Sequence, residues 1–282
     1  MSPRSVSLVV TTYNSEQALG LVLASVARQT RLPDEVIVAD DGSGAATRAL
    51  LHEMAGAMPV PLRHSWQPDD GFRVARSRNR AIAAATGDYV ILLDGDMVMH
   101  RRFVADHLQA AEPGAFVQGS RVLTTPAFRE RMLADPDMSP GPLSAGIARR
   151  RHTLRLPWLS RLYMRANRRT RPHAIKTCNQ AWWRDDLIRL NGFDERMQGW
   201  GREDEELAWR AHHAGLLCRQ LRLSALAFHL HHVERHQDGA SRNDAYLAQT
   251  RSQRLVRCEL GIDQHLAEFV AHPLPALRSA PG

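Results

Sequence analysis

Two acidic clusters carry the side chains in this sequence that are best suited to chemistry. The first, Asp94-Gly95-Asp96, follows the apolar run 89–93. Residues two apart in a strand point to the same side, so Asp94 and Asp96 can face one cation, and Gly95 allows close approach of a ligand. Two carboxylates that leave coordination positions open suit Mg²⁺ or Mn²⁺ bound to phosphate oxygens. The pattern predicts a divalent-cation site, with an ordinary Asp-Gly turn as the alternative.

The second cluster is the run Trp200-Gly201-Arg202-Glu203-Asp204-Glu205-Glu206. Acidic residues in the first turn of a helix are favoured by the helix dipole, which suffices for the last two acids. The dipole does not account for the aromatic residue just before the acids. Because a tryptophan face beside carboxylates suits a sugar ring, we predict that Trp200 and Glu203 bind a sugar acceptor. Asp204 is predicted to act as the catalytic base, with Glu203 beside it.

The elements that must position these clusters alternate between strand and helix patterns. Apolar, β-branched runs predict strands at 7–13, 35–39, 62–66, 89–93 and 115–123. Amphipathic patterns predict helices at 15–29, 44–54, 74–86 and 101–111. This rhythm predicts an α/β fold, with a Rossmann-like, mostly parallel sheet and helices on both faces. Ligands of such sheets bind at the carboxyl ends of the strands, where residues 11–14, 40–43 and 94–96 are placed.

The bulk composition is that of an ordinary globular protein. Hydrophobic residues make up 44% and charged residues 24% of the 282 residues. No apolar run approaches the roughly 20 residues needed to span a bilayer. The N-terminus leads directly into a predicted strand, so no signal peptide is expected. Three scattered cysteines form no metal-spaced pair, which favours a reducing, cytoplasmic location.

The net charge of +7 is concentrated in one stretch. Nine arginines and no acid lie between Arg149 and Arg171. Such a stretch favours an anionic partner: a membrane surface, a phosphorylated glycan or nucleic acid. Apolar and aromatic side chains are interleaved with the arginines, namely Leu156, Trp158, Leu159, Leu162 and Tyr163. This interleaving favours peripheral binding to the anionic inner face of the cell membrane. The alternative is a solvated loop.

The first half of the chain resembles the N-terminal half of family 2 inverting glycosyltransferases, which have the GT-A fold. The resemblance rests on Val9-Val10-Thr11-Thr12-Tyr13-Asn14, Val38-Ala39-Asp40-Asp41-Gly42-Ser43 and Leu92-Leu93-Asp94-Gly95-Asp96, in that order. The segment 71–79 looks like the one that this family places beside uridine and pyrophosphate. The resemblance implies a nucleotide-sugar pocket formed by Thr11, Tyr13, Asp40, Asp41, Arg78, Asn79 and Asp94.

The physical roles in that pocket are chemically sensible. Tyr13 can stack on a base, and Arg78 can pair with a phosphate. Either Asp40 or Asp41 can accept a hydrogen bond from the uracil imide.

The second half resembles the galactosyltransferase-like and chondroitin-polymerase-like branch of that family. The matching segments are 175–180, 191–195, 199–204 and 227–232. The last looks like that branch's strand with a metal-binding histidine, which implies that His229 or His232 joins Asp94 and Asp96 at the metal. Thr177 stands where a glycine is usual, and His231 stands where an aromatic residue often sits. Together the matches cover residues 6–245, apart from 125–174.

These observations divide the chain into four parts. Residues 1–124 are predicted to be the nucleotide-sugar-binding α/β half, and 175–262 the acceptor-binding and catalytic half. Between them, 125–174 reads as a basic, proline-rich insertion or lid with one or two short helices. Short helices at 185–190 and 203–214, a strand at 223–231 and a helix at 244–260 are expected in the second half. Residues 263–282 are expected to form a C-terminal tail.

The sequence therefore predicts a metal-dependent inverting glycosyltransferase. The expected donor is a UDP-sugar, and the expected acceptor is a surface glycan or lipid-linked glycan, such as lipopolysaccharide core. A nucleotidyltransferase that makes a nucleotide sugar is one alternative, but it would need a glycine-rich phosphate loop with a lysine near the first strand, and Lys176 is the only lysine. A non-catalytic basic protein that binds nucleic acid is the other. It accounts for the charge and not for acids at strand ends, so no nucleic-acid partner is expected.

Overall fold

The computed structural model describes residues 2–148, 150–169, 172, 175–232 and 242–278, with the backbone alone at 168–169. The first half alternates as the sequence predicts. Its elements are β1 (Val6–Thr12), α1 (Glu16–Ala27), β2 (Glu35–Asp40), α2 (Ala45–Ala55), β3 (Leu62–Trp66), α3 (Val74–Ala84) and β4 (Tyr89–Asp94). Strands β1 to β4 pair in parallel, which confirms the α/β fold class with a mostly parallel sheet.

The remaining elements extend this sheet and add a smaller one. They are β5 (Met97–Met99), α4 (Phe103–Ala110), β6 (Ala115–Gln118), β7 (Val122–Leu123), α5 (Pro126–Ala134), a 3₁₀ turn (Arg150–Thr153), α6 (Pro157–Ala166), β8 (Arg168–Arg169), β9 (Asn179–Trp183), α7 (Arg184–Leu190), α8 (Glu203–His213), β10 (Leu217–Gln220), β11 (Ala227–His229), α9 (Arg242–Gln253) and α10 (Asp263–Ala271). In the described residues the large sheet has the strand order β3-β2-β1-β4-β9-β6-β10-β8, and the small sheet has the order β5-β11-β7.

The large sheet is buried between two apolar layers. Along β1, Leu8 and Val10 face one layer and Val9 faces the other, as the period-2 geometry of a strand requires. Helix α1 covers the first layer, and α3, α7 and α8 cover the second. Each fully buried Val or Leu contributes about 1.5–3 kcal/mol relative to exposure. This burial on both faces fixes the strand ends that carry the acidic residues.

Two strand predictions are wrong in length. The predicted strand 115–123 is interrupted because the chain passes so close to Asn179 at Gly119 that a Cβ there would lie 2.3 Å from the Asn179 side chain. The chain turns there, and β7 joins the small sheet. The predicted strand 223–231 is reduced to Ala227–His229, after positive φ angles of 59° at Leu223 and 46° at Ala225. The sequence patterns did not indicate β5, β8, β9 or β10.

The expected division into four parts by function stays a prediction, and the first three parts share one large sheet. The large sheet takes strands from both sides of 125–174, because β9 lies between β4 and β6. The insertion packs on the body through the buried side chains of Phe128 and Met132, and Arg155 pairs with Asp106 at 2.6 Å. The insertion contains α5 and α6, which confirms the two short helices. Arg149, Thr170 and Arg171 lie outside the described residues.

The C-terminal segment is not a tail over 263–271. Helix α10 packs on α3, where Phe269 is buried beneath Arg80 and Glu268 pairs with Arg80 at 2.8 Å. The predicted helix 244–260 ends at Gln253. Among the described helices, none combines the length and the apolar character that crossing a bilayer demands.

Candidate active site

The carboxyl ends of β1, β2 and β4 bring the predicted acidic residues to one edge of the sheet. In the register, Thr11 lies opposite Asp94, and Thr12 lies opposite Asp40. The Gly95 backbone N–H donates to the Thr11 carbonyl at 2.7 Å, and a Cβ on Gly95 would lie 2.7 Å from the same oxygen. Only glycine fits this close approach, so Gly95 sets the turn that carries the chain from β4 into β5.

A compact cluster of three possible ligands forms directly after that turn. Strand β5 pairs antiparallel with β11, and the Leu230 N–H donates to the Asp96 carbonyl at 2.9 Å. This register places His229 Nε2 and His232 Nε2 each 3.2 Å from Asp96 Oδ2. The ligand atoms of the three residues lie within 4.8 Å of one another. Both predicted histidines therefore meet Asp96 rather than one alone.

The electrostatics of this cluster fit a cation. Burial would raise the pKa of Asp96, but hydrogen bonds from His229 and His232 outweigh it and hold that pKa well below its usual range. The second carboxylate oxygen, Oδ1, is buried and has no hydrogen-bond partner in the described part of the chain. A half-buried, ionised carboxylate with one buried, unpartnered oxygen beside two imidazoles can bind a divalent metal ion.

Arg78 joins the two acidic clusters that are far apart in sequence. It donates from Nη2 to Asp94 at 3.1 Å and from Nη1 to Glu203 at 3.2 Å, and its Nε lies 3.3 Å from Thr11 Oγ1. The guanidinium is buried and lies over the Phe193 ring. Burial would lower the pKa of Arg78, but Asp94 and Glu203 raise it above its ordinary value. Its single positive charge is therefore shared between both carboxylates, and the sequence did not predict this bridging position.

Asp94 is held differently from Asp96. It is not part of the three-residue cluster, since its Oδ1 accepts from Arg78. Burial raises the pKa of Asp94, and the neighbouring Asp96 raises it further, while Arg78 lowers it. The two carboxylates that the spacing placed on one cation thus face different partners. The contacts of Asp94 with the nucleotide sugar and with the metal ion stay predictions.

Asp204 combines burial with an acidic neighbour at the start of α8. Burial and the nearby Glu203 carboxylate raise the pKa of Asp204 to about 7, against the opposing effects of Arg78 and of backbone N–H donors. The donors are the N–H groups of Glu205 at 2.7 Å and Thr177 at 3.3 Å. Glu203 is itself buried, and its Oε2 has no hydrogen-bond partner in the described residues. A carboxyl group with a pKa near 7 is well suited to accept a proton at neutral pH.

A buried ion pair anchors the helix that carries Asp204. Arg210 is fully buried and pairs with Glu206 at 2.7 Å, one turn earlier on α8. Its remaining N–H groups donate to the carbonyls of Leu190 and Gly192. The helix dipole therefore does not fully account for Glu206, because this carboxylate is the partner of a buried cation. The i, i+4 spacing of the two residues is the sequence signal that could have indicated the pair.

Three exposed aromatic side chains lie in the loops that follow β1 and precede α3 and α8. Trp200 is 56% exposed and lies between Gly199 and Gly201, which both have positive φ. The Gly199 N–H donates to the Phe72 carbonyl at 3.0 Å, so the loop of Trp200 meets the loop of Phe72. Phe72 is 46% exposed and was not predicted as a site residue. Tyr13, at the end of β1, is 43% exposed and donates its hydroxyl to Asp69 at 2.9 Å.

Two residues predicted for the nucleotide pocket are fully buried and hydrogen-bonded within the protein. Asp40 is fully buried, accepts from the Ser43 N–H at 2.7 Å and pairs with His64 at 2.8 Å. Asn79 is fully buried and exchanges hydrogen bonds of 2.8 Å with the backbone of Phe193. These side chains have no exposed surface toward a ligand. The polar groups of Asp40 and Asn79 satisfy turns of the protein itself, and their contact with a nucleotide sugar stays a prediction.

Asp41 lies at the same turn with a different environment. Its two oxygens accept from Gln67 at 2.6 Å and from the Arg73 N–H at 2.9 Å. Burial raises the pKa of Asp41 to about 6. Asp41 is also buried, and its contact with a uracil base stays a prediction.

Replacing Asn79 by Ala is expected to lower the free energy of unfolding by about 2–4 kcal/mol, because the change leaves buried backbone groups of Phe193 unpaired and opens a void. Urea unfolding measures this change. Tyr13→Ala is the matched comparison: the exposed ring contributes little to folding, so stability should remain nearly unchanged while nucleotide affinity falls. Equal stability of Asn79→Ala and the wild type would show that folding does not need these hydrogen bonds, and would favour a ligand-binding role for Asn79.

Two protein families match this chain. The family described as glycosyl transferase family 2 matches residues 7–183, which is more than half of the chain. The family described as the N-terminal domain of galactosyltransferase matches residues 162–236. The two matches together contain both acidic clusters and His229 and His232.

Individual proteins match over most of this chain and over less of their own length. Validoxylamine A glucosyltransferase of Streptomyces hygroscopicus subsp. limoneus is 30% identical over 220 residues, which are 74% of this chain and 48% of that protein. Chondroitin synthase of Escherichia coli is 26% identical over 245 residues, which are 79% of this chain and 34% of that protein. The chain thus spans about half of the first relative and a third of the second.

Solved structures share the fold. S. aureus TarS 1–349 in complex with UDP superposes with a TM-score of 0.59 at 18% identity, covering 94% of this chain and 70% of that one. The mannosyltransferase PcManGT from Pyrobaculum calidifontis, in complex with GDP-Man and Mn²⁺, superposes with a TM-score of 0.55 at 19% identity. The match covers 96% of this chain and 76% of that one. The fold is that of GT-A glycosyltransferases.

Proposed function

Because this chain belongs to glycosyltransferase family 2 and is a glycosyltransferase, we propose that it is a metal-dependent inverting enzyme that uses a UDP-sugar. One observation carries this proposal. Arg78 donates hydrogen bonds to Asp94, which is two residues before Asp96 of the three-residue cluster, and to Glu203, which is next to Asp204. These two contacts link the candidate cation site to a carboxyl group with a pKa of about 7. A sugar transfer needs these two functions side by side: one at the leaving diphosphate and one at the attacking hydroxyl.

Asp96, His229 and His232 would hold the metal ion. Their donor set of one carboxylate and two imidazoles, with the buried unpartnered Oδ1 of Asp96, suits Mn²⁺ better than Mg²⁺, because Mg²⁺ prefers oxygen ligands throughout. A divalent cation bound there supplies positive charge that stabilises the departing diphosphate. The chain contributes the charge balance around it, since Arg78 already neutralises part of Asp94.

Asp204 would take the proton of the acceptor hydroxyl. The hydroxyl oxygen then forms its bond to the anomeric carbon as the bond from that carbon to the diphosphate oxygen breaks on the opposite side, which inverts the configuration. The Glu203 carboxylate beside Asp204 keeps the pKa of Asp204 high, so that the base is strong enough to accept the proton. Trp200 offers an exposed aromatic face on which the acceptor sugar can rest.

The donor and acceptor are supported by different observations. For the donor, similar structures are described in complex with UDP and with UDP-GlcNAc, and here the exposed ring of Tyr13 and the carboxyl of Asp41 suit a uracil base. For the acceptor, the relatives include chondroitin and hyaluronan synthases, which favours a growing surface glycan. We propose a surface or lipid-linked glycan, such as lipopolysaccharide core, acted on at the cytoplasmic side of the membrane.

A panel of nucleoside diphosphates tests the donor class. With Mn²⁺ present, UDP is expected to raise the melting temperature of the protein more than GDP or ADP at equal concentration, because ligands stabilise the state that they bind. Chelation by EDTA should remove the shift. Tyr13→Ala should reduce it, whereas Val270→Ser, a change at an exposed position on α10, should not. A larger shift with GDP would replace the uridine donor with a guanosine donor.

A further inference from the structure

Helix α6 presents apolar side chains to solvent on the face that does not pack on the protein. Trp158 is 62% exposed and Leu162, one turn later, is 52% exposed. Leu154, just before the helix, is 40% exposed. The opposite face is the packed one, since Ser160 is buried and Met164 lies against the core. The residues Leu154, Trp158 and Leu162 therefore form an apolar ridge at i, i+4 and i+8 that nothing in the described part of the chain covers.

Cationic side chains flank this ridge. Arg161 and Arg165 lie on the same face of α6, because three- and four-residue steps return to one side of a helix. Arg150 and Arg151 are exposed in the preceding 3₁₀ turn, and Arg222 lies over the Tyr163 ring. Within the described residues none of these five guanidinium groups forms an ion pair. Arg155 differs, because Asp106 neutralises it, and it is not part of the charged surface.

The ridge begins at the edge of the sheet that carries the active site. Strands β4, β6 and β10 run in the same direction, because β9 is antiparallel to both β4 and β6, and β6 is parallel to β10. Leu223, soon after the carboxyl end of β10, accepts a hydrogen bond from the Leu156 N–H at 2.9 Å. Leu156 immediately precedes α6. The first turn of α6 is thereby fixed at the same edge as Asp94.

We propose that α6 and the 3₁₀ turn before it form a docking surface for an anionic lipid bilayer. The tryptophan and leucines insert at the level of the headgroups, and the arginines lie against the lipid phosphates. Nucleic acid would satisfy the arginines but would leave the aliphatic ridge without an apolar environment, so the observations favour lipid. Docking on this face turns the active-site edge toward the membrane. The surface itself does not depend on the proposed function.

Vesicle co-sedimentation tests the proposal with two variants and two matched controls. Wild-type protein is expected to bind phosphatidylglycerol-containing vesicles and to bind pure phosphatidylcholine vesicles much less. Changing Arg151, Arg161 and Arg165 to Gln, or changing Trp158 and Leu162 to Ser, should each weaken binding by about tenfold or more. One control variant changes Arg48, Arg251 and Arg254 to Gln, which removes the same amount of charge away from the docking surface. The other control variant changes Val256 and Val270 to Ser, which removes exposed apolar groups away from that surface. Both controls should bind like wild type.

The pattern of loss decides the outcome. Since all changed side chains are exposed, melting curves should coincide with those of wild type. High salt should weaken the binding of wild type and of the Trp158/Leu162 variant, and should have less effect on the arginine variant. Absence of vesicle binding by wild type, or equal binding by the Trp158/Leu162 variant and wild type, would contradict lipid docking. Tighter binding to single-stranded RNA than to the vesicles would assign the surface to nucleic acid instead. None of these readouts requires catalytic activity.

Discussion

Asp204→Asn is expected to lower kcat by about 10²-fold or more while the donor still binds. The amide is nearly the same size as the carboxylate but cannot accept the proton of the acceptor hydroxyl. Burial and Glu203 raise the pKa of Asp204 to about 7, so its carboxylate is a stronger base than an ordinary aspartate. Steady-state kinetics with a fixed acceptor, together with a titration of nucleoside diphosphate binding, measures both quantities.

The pH dependence gives the same prediction an independent readout. Below its pKa of about 7, Asp204 carries a proton and cannot act as a base, so kcat should rise with pH through that region and then level off. The rise should be lost in Asp204→Asn. Nucleoside diphosphate binding over the same pH range separates this effect from a change in donor affinity. As a matched control, Asp186→Asn changes a carboxylate on α7 outside the site and should leave kcat unchanged. If Asp204→Asn keeps kcat and loses donor affinity, Asp204 belongs to the donor pocket.

Asp96→Ala is expected to abolish turnover with the fold intact. Asp96 is the residue that both histidines contact, and its buried Oδ1 has no other partner in the described residues, so removing it would destroy the proposed cation site. Added Mn²⁺ should no longer raise the melting temperature of the variant in the presence of UDP. His232→Ala should weaken the Mn²⁺ response less, because His232 is half exposed whereas Asp96 is central to the cluster.

The control for the metal prediction is another carboxylate. Asp137→Ala removes an exposed acid of the insertion that pairs with Arg28 at the end of α1. This change should alter neither turnover nor the Mn²⁺ response. Full activity of Asp96→Ala would exclude the cluster as the cation site. Undiminished wild-type activity in excess chelator would exclude a metal from the reaction.

The sequence predicted most of the fold because its signals are local. The buried strands have unbroken apolar runs, and the helices between them have amphipathic faces, so both follow from short-range patterns. The short strand β5 has no such signal, and β11 keeps only residues 227–229 of the strand that the pattern predicts at 223–231. Their pairing depends on the turn at Gly95, and that pairing is what brings His229 and His232 to Asp96. The sequence therefore left open which of the two histidines lies at the metal site, whereas in the structure both lie beside Asp96.

The individual site residues were predictable only in part. Asp40 and Asp41 are adjacent, but only the structure shows that Asp40 is fully buried and bound to Ser43 and His64. Arg78 has the charge of a phosphate-binding residue, yet its contacts with Asp94 and Glu203 depend on the packing of α3 against α8's first turn. Distances across elements that lie far apart in sequence are decided by packing, and no local pattern encodes them.

The most direct test of the account is the release of nucleoside diphosphate from a panel of nucleotide sugars in the presence of Mn²⁺. At least one UDP-sugar is expected to release UDP, and the release should fall with EDTA and in Asp204→Asn. Release of pyrophosphate from a nucleoside triphosphate and a sugar phosphate, with no UDP released from any UDP-sugar, would contradict the account and indicate a nucleotidyltransferase.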